Sequence, residues 1–346
     1  MGDFWVGETV RVSAGNSGGE GGCVVGDTSW RVGDTLLAMN FPDRSRSDDM
    51  PSSDPPNHNS INQYELVDFG GGRKLERVAG RLIDRPSPAA EGLATKQNAR
   101  WKVAASRFDE KEKQWNHRVE WKPGRCVECG GFRMPVAPTP YGHIGVFPEQ
   151  QANWDWLRTR ELPEVSSGDR PKALNLFAYT GASTMALVSA GFAVAHVDAA
   201  KQNVQSARAA AKANGWDDPP IRFLVDDAVK FTAREVRREN RYHTIVMDPP
   251  AYGHGPSGKA WRLARDVWPL IDDSLKLLEP DAFRLLITGH SPDVDQNDVQ
   301  VYLADRVPRT VSPAGTLRFE TGRLRLPDQF GRKLDAGFFV RVWNER

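Results

Sequence analysis

The sequence predicts an α/β fold: a doubly wound, mostly parallel sheet of seven strands in the C-terminal half, preceded by a small β-rich domain. Three observations predict it. From about residue 150, short runs of buried-strand composition alternate with helical stretches across short connections. Such β-α-β-α alternation demands a parallel sheet covered by helices on both faces. Two late runs, Thr316 to Leu326 and Gly337 to Trp343, follow with no helix between them and read as a hairpin finishing the sheet's edge. Before residue 150, alternating runs and glycine turns replace that rhythm.

The elements follow in order. Residues 1–60 contain a Gly/Ser-rich interruption from Gly15 to Gly22 and a polar tract from Asp43 to Ser60. Little apolar surface there offsets the entropy of ordering, so most of it reads as a mobile extension. A β-rich domain is expected over 61–148. It opens with Tyr64 to Phe69, a turn at Gly70-Gly71-Gly72, and a strand from Lys74 to Ile83. The domain expected over 149–346 starts with a strand at Ala173 to Phe177 and an Ala-rich helix from Ser183 to Ala190. Strands then fall at Phe192 to Val197, Ile221 to Val225, His243 to Met247 and Phe283 to Thr288. Helices fall at Lys201 to Asn214, Ala228 to about Glu239, and Asp266 to Leu278.

Charge and cysteine content narrow the function classes. Lys and Arg number 46 against 45 Asp and Glu, a net charge of +1, so no global field steers the molecule to nucleic acid or membrane. No apolar run reaches the ~20 residues of a membrane span. The start, Met1-Gly2-Asp3-Phe4-Trp5-Val6, fits neither an export signal nor a myristoylation signal. Three cysteines, Cys23, Cys126 and Cys129, are too few to staple a chain of 346 residues, and a cytoplasmic setting is expected.

Ligands of open α/β sheets sit at the carboxyl ends of the strands. After the first strand comes Phe177-Ala178-Tyr179-Thr180-Gly181, with one glycine where a pyrophosphate-binding turn shows G-x-G-x-x-G. This argues against a nucleotide phosphate and still permits close approach by an uncharged adenosine or a methionine moiety. After the second strand, Asp198 is placed to accept from both ribose hydroxyls, although a lone Asp there also serves as a helix cap. After the third, Asp226-Asp227-Ala228 places Asp227 toward an adenine amino group, with capping again the alternative. After the fourth comes Asp248-Pro249-Pro250-Ala251-Tyr252-Gly253. Two prolines stiffen that loop and leave its carboxylate and carbonyls as acceptors, while Tyr252 is expected to stack on a planar group.

In this order, the residues resemble the bacterial methyltransferases related to the 23S ribosomal RNA large-subunit cytosine-C5 methyltransferases, in the subgroup lacking the RNA-binding PUA domain. The resemblance rests on Gly145-Val-Phe147-Pro-Glu149-Gln150, Asn175-Leu-Phe-Ala-Tyr-Thr-Gly181, Val197-Asp198-Ala-Ala-Lys201, Asp226-Asp227-Ala228, Asp248-Pro-Pro-Ala-Tyr252-Gly253 and Trp261. It covers roughly four-fifths of the chain and implies a Rossmann-like class I methyltransferase using S-adenosyl-L-methionine. It also implies that Phe147 and Gln150 close over the cofactor. The stretch Asn175 to Gly181 (Asn175, Phe177, Tyr179, Thr180 and Gly181), with Asp198 and Asp227, would hold its methionine, ribose and adenine parts.

One departure bears on the chemistry. Cytosine-C5 methylation needs a thiolate that adds to the base. Where the family carries that cysteine after the fifth strand, this chain reads Thr288-Gly289-His290-Ser291. Asp248, Pro249, Pro250, Tyr252 and His290 therefore remain as catalytic candidates, with His290 either a general base or a packed residue. The stretch Lys96 to Arg125 holds nine Lys/Arg against four Asp/Glu, with Trp101, Phe108, Trp115 and Trp121 interleaved. It reads either as an RNA-gripping surface or as a solvated helix face with its tryptophans packed inward. Cys126-Val-Glu-Cys129 reads as a hairpin turn rather than a zinc site, so no metal is expected. RNA, a ribosomal RNA base above all, is the expected substrate. A small-molecule or protein methyltransferase, or a non-catalytic cofactor-binding module, are the alternatives.

Overall fold

The computed structural model describes residues 64–159, 165, 169–254, 260–311 and 315–345. The expected extension 1–60 lies outside them.

The chain opens with strands β1 (Tyr64–Gly70), β2 (Arg73–Val78) and β3 (Arg81–Pro86), a short helix α1 (Asn98–Lys102), then β4 (Ser106–Asp109) and β5 (Gln114–His117). These strands form one sheet in the order β1-β2-β3-β4-β5. The single strand expected from Lys74 to Ile83 is in fact two. Ala79 and Gly80 both take positive φ, 46° and 78°, which folds the chain into a tight two-residue hairpin. The hairpin of β6 (Cys126–Glu128) and β7 (Arg133–Pro135) follows.

Two helices packed on the large sheet are not among the expected elements. Helix α2 (Gln151–Thr159) begins after a 3-10 turn at Pro148–Gln150 and buries Trp154, Trp156 and Leu157. The expected alternation then appears as β8 (Lys172–Leu176), α3 (Ala182–Ser189), β9 (Ala193–Asp198), α4 (Lys201–Ala213), β10 (Ile221–Val225), α5 (Ala228–Arg237) and β11 (Thr244–Met247). A small hairpin, β12 (Tyr252–His254) with β13 (Ala260–Arg262), leads into α6 (Leu263–Lys276) and β14 (Arg284–Gly289). The second unforeseen element is α7 (Gln296–Thr310), opened by a reciprocal capping box between Asp295 and Asp298. The long hairpin β15 (Thr316–Pro327) and β16 (Lys333–Glu345) ends the fold.

The large sheet has seven strands in the order β10-β9-β8-β11-β14-β16-β15. The first five are parallel, and β16 and β15 are antiparallel, as expected of a hairpin at the edge. One face is packed by α5, α6 and α7 through Phe231, Leu270, Ile271 and Leu303. The other carries α2 and α3 through Trp156, Leu157 and Leu187. Residues of β3, β6 and β7 share a core with α2, α3 and α4. The order reverses beside β8, so the ends of β8 and β11 diverge there and open a crevice.

Candidate active site

A cavity of about 550 Å³ opens at those strand ends. Its floor is the turn after β8. Phe177 and Tyr179 both take positive φ, 54° and 49°, and such left-handed turns cost about 1–2 kcal/mol for a residue with a side chain. Backbone bonds hold the turn in place: the Ala178 amide donates to Val197 O at 3.0 Å, and the Gly181 amide to Ala178 O at 3.0 Å. Gly181 has φ +92°, and a Cβ there would lie 3.0 Å from Ala207 Cβ, so glycine lets α3 and α4 pack closely.

Asp198, at the end of β9, ties the turn down. Its Oδ2 accepts from the Tyr179 amide at 2.7 Å, and its Oδ1 accepts from the Ala200 amide at 2.9 Å and from Asn203 Nδ2 at 3.0 Å. Burial pushes the Tyr179 hydroxyl up, with the Asp198 charge adding to it. Phe147 packs on Tyr179, ring centres 5.3 Å apart, and Thr180 Oγ1 donates to Gly145 O at 2.5 Å. Asn175 donates to Thr184 Oγ1 at 2.9 Å, and Thr184 in turn meets His196 Nδ1 at 2.9 Å. Burial, with Arg208 adding to it, holds the His196 imidazole down at about 3. Asn175, Phe177, Gly181 and Asp198 all line the cavity, as do Phe147, Gln150, Tyr179 and Thr180.

The opposite wall comes from the ends of β11 and β14. Asp248, Pro249, Pro250 and His290 line it. His290 Nε2 stands 3.8 Å from Asp248 Oδ1. Trp261 braces the proline loop: its indole donates to Pro250 O at 2.7 Å, and its ring centre lies 5.1 Å from that of Phe177. One of the loop's acceptors is therefore already engaged. Tyr252, expected to stack on a ligand, points away. It is 70% exposed, its hydroxyl lies 3.5 Å from Asp293, and it lines neither cavity described here. Its place beyond Ala251, at the start of β12, carries the side chain past the rim.

Asp227 caps α5, accepting from the Lys230 amide at 3.0 Å, and also lines an adjoining pocket of about 90 Å³ with Asp226, Phe177, Pro250 and Trp261. The capping alternative and the ligand-facing position therefore coincide in one residue.

Three buried polar atoms in the cavity wall have no hydrogen-bond partner: Glu149 Oε2, Asp248 Oδ1 and Thr288 Oγ1. Buried oxygens of this kind are costly unless a ligand satisfies them. Glu149 was not singled out from sequence, although it adjoins Gln150 in the segment Phe147 to Gln150. The lining is also one-signed. Glu149, Asp198 and Asp248 face the main cavity and Asp226 and Asp227 the side pocket, while among the described residues no Lys or Arg lines either. A phosphate ligand is disfavoured there. An uncharged adenosine carrying a cationic sulfonium and an ammonium fits.

The cysteines stand apart. Cys126 and Cys129 are buried in the β6–β7 hairpin, neither lines the cavity, and burial pushes the Cys129 thiol up to about 12. Among the described residues no group of three or more His, Cys, Asp or Glu is placed to hold a metal ion. The segment Lys96 to Arg125 forms α1, β4 and β5 and not one long helix. Its aromatics turn inward: Phe108 is buried, the Trp101 indole donates to Asp68 at 2.7 Å, and the Trp115 indole to Thr139 O at 2.8 Å. Its cations, including Lys102, Arg107, Lys111 and Arg118, stay exposed. Among the described residues no helix is long and apolar enough to cross a membrane.

Comparison with known proteins agrees with this geometry. No protein-family model matches the chain. The ribosomal RNA large subunit methyltransferase K/L of Methylococcus capsulatus is 29% identical over 165 residues, which is 47% of this chain and 21% of that protein. The ribosomal RNA large subunit methyltransferase K of Neisseria meningitidis is 29% identical over 124 residues, 35% of this chain and 34% of that one. The chain thus spans between a fifth and about a third of the length of these curated relatives. Among solved structures, a SAM-dependent methyltransferase from Agrobacterium tumefaciens superposes with a TM-score of 0.71 at 29% identity, covering 82% of this chain and 91% of that one. With the strand order and the acidic strand ends already established, these likenesses make the chain a relative of the SAM-dependent methyltransferases, built on their class I fold.

Proposed function

We propose that the chain transfers a methyl group from S-adenosylmethionine to a nitrogen atom of a base in ribosomal RNA. The observation that carries the cofactor is the one-signed lining: three carboxylates, Glu149, Asp198 and Asp248, and no described Lys or Arg face a cavity sized for it, with Asp227 on the adjoining pocket. In this reading Asp198 accepts from the ribose hydroxyls, Asp227 faces the adenine amino group, and Glu149 receives the ammonium. Asn175 and the Phe177-to-Gly181 turn cradle the methionine part, while Phe147 and Gln150 close over it. When bound, the cofactor presents a methyl group on a positively charged sulfur, which leaves as a neutral thioether.

This chain's residues align the acceptor for an in-line displacement. The Asp248 carboxylate, partly exposed to the cavity, accepts an N–H of the base and fixes its orientation. Pro249 and Pro250 give a rigid wall against which a planar ring rests. His290, on the same wall as Asp248, would receive the proton that the acceptor nitrogen loses on methylation. Nitrogen is favoured over C5 of a cytosine because neither described cysteine reaches the cavity.

The RNA assignment follows from the relatives' names, with the exposed cations of Lys96 to Arg125 as the gripping surface. The inward turn of its tryptophans leaves phosphate contact, not stacking, as its means of binding. The test is methyl transfer from labelled cofactor into RNA from a strain lacking the gene, followed by nucleoside analysis. A methylated nitrogen in a ribosomal base is expected, with binding that weakens as salt rises. Label in peptide or metabolite pools after RNase treatment, or a C5-methylated cytosine, would overturn the assignment.

A further inference from the structure

Four side chains connect the cavity to the antiparallel edge of the sheet. Arg341, on β16, is buried and does not line the cavity. It donates to Asn153 Oδ1 through Nε at 3.1 Å and Nη2 at 2.7 Å, and through Nη2 to Ala152 O at 2.8 Å. Its Nη1 meets Glu320 at 2.9 Å, and its guanidinium lies over the Phe339 ring at 4.3 Å. Asn153, fully buried, donates its Nδ2 to Gln150 Oε1 at 2.7 Å. Gln150 then turns its Nε2 toward Asp248 Oδ2, 3.5 Å away.

The direction of this chain is forced. An amide side chain can be turned over at little cost unless its neighbours decide which end is oxygen. A guanidinium has five donors and no acceptor, so Asn153 must offer Arg341 its oxygen. Its nitrogen is left for Gln150, which must therefore answer with its own oxygen. The amide N–H of Gln150 then has to face Asp248. At 3.5 Å the last contact is long for a hydrogen bond, so the chain supplies orientation more than bond energy.

We infer that Arg341 and Asn153 are positioning residues that fix Gln150 as a donor toward Asp248 Oδ2 and so hold the Asp248 carboxylate in place as the acceptor for the substrate. The inference rests on the methyltransferase reading for its kinetic consequence but not for its geometry. If Gln150 turned over, its oxygen would oppose a carboxylate oxygen, and Asp248 would be displaced from the line of attack.

Asn153→Asp tests this directly. The new carboxylate still accepts from Arg341 but cannot donate to Gln150, so the amide must reverse. The expected result is a 10- to 100-fold fall in kcat. Adenosylhomocysteine affinity by calorimetry should fall by a smaller factor than kcat, because of the residues closing over the cofactor only Gln150 is turned. Tm, read alongside, separates lost positioning from lost folding, since a buried ion pair replaces a charge-assisted hydrogen bond. Arg341→Lys, still a pure donor, should retain more activity than Arg341→Gln, which can accept as well. A substrate-free measurement accompanies these: the Gln150 side-chain amide signals in ¹⁵N NMR should shift in Asn153→Asp and in Asp248→Asn. Wild-type turnover in Asn153→Asp, or Gln150 signals unmoved by it, would overturn the relay. Failure of the wild-type protein to bind adenosylhomocysteine would instead sink the methyltransferase reading, and the NMR result would still decide the relay.

Discussion

The two walls of the cavity are built by different means. The wall under β8 and β9 is held by backbone groups and near neighbours: Asp198 gathers the amides of Tyr179 and Ala200 and the side chain of Asn203. The wall under β11 and β14 is held by side chains distant in sequence. Gln150 reaches Asp248 across 98 positions, and Arg341 reaches Asn153 across 188. The first wall is a consequence of local chain geometry, while the second depends on how β16 pairs with β14 and β15, where Arg341 sits opposite Leu286 and Glu320. A wall made locally tolerates change elsewhere in the fold. One made by long-range contacts answers to residues that never touch a ligand.

This contrast can be broken at either wall. The largest effect is expected on the second: Asp248→Ala should lower methyl transfer by about 10²- to 10³-fold while leaving cofactor affinity nearly unchanged, measured by single-turnover transfer and calorimetry. Parallel loss of both would merge the two walls into one. A strain-based effect is expected on the first wall. Gly181→Ala places a Cβ at φ +92° and 3.0 Å from Ala207, and should cost about 1–3 kcal/mol in urea denaturation. An unchanged midpoint would show that the turn is not held as tightly as its contacts imply. The smallest effect is expected at the rim. Tyr252→Ala should change kcat/KM by less than about threefold, because the side chain lies outside the cavity. A tenfold loss would bring Tyr252 back as a stacking partner.

The same division explains what was legible in the sequence. Parallel strands buried on both faces read as apolar runs, so β8, β9, β11 and β14 are legible to within a residue, as are the edge strand β10 and β15, while β16 begins four residues before the expected Gly337. The turn from Phe177 to Gly181 and the acidic strand ends were visible because each follows its strand directly. Helix α7 is marked in the sequence by Val299, Leu303 and Val307 at four-residue spacing behind a capping box. Helix α2 is short and starts from a proline turn, so little local pattern marks it. Tyr252 was misplaced because sequence distance from Asp248 says nothing of the turn into β12. Asn153 and Arg341 could not have been found: a buried Asn and a strand Arg acquire meaning only when their partners are known. The tryptophans of Lys96 to Arg125 were ambiguous for the same reason, since Asp68 and Thr139 lie outside that stretch.

The central claim is that acidic strand ends bind the adenosine and methionine parts of one sulfonium cofactor through the first wall. Calorimetric titration of adenosylhomocysteine into the wild-type protein, Asp198→Ala and Asp248→Ala tests it most directly. The account predicts stoichiometric binding to wild type, affinity lowered by about tenfold or more in Asp198→Ala, and affinity within about threefold of wild type in Asp248→Ala. No heat with the wild-type protein, or equal affinity in Asp198→Ala, would contradict it.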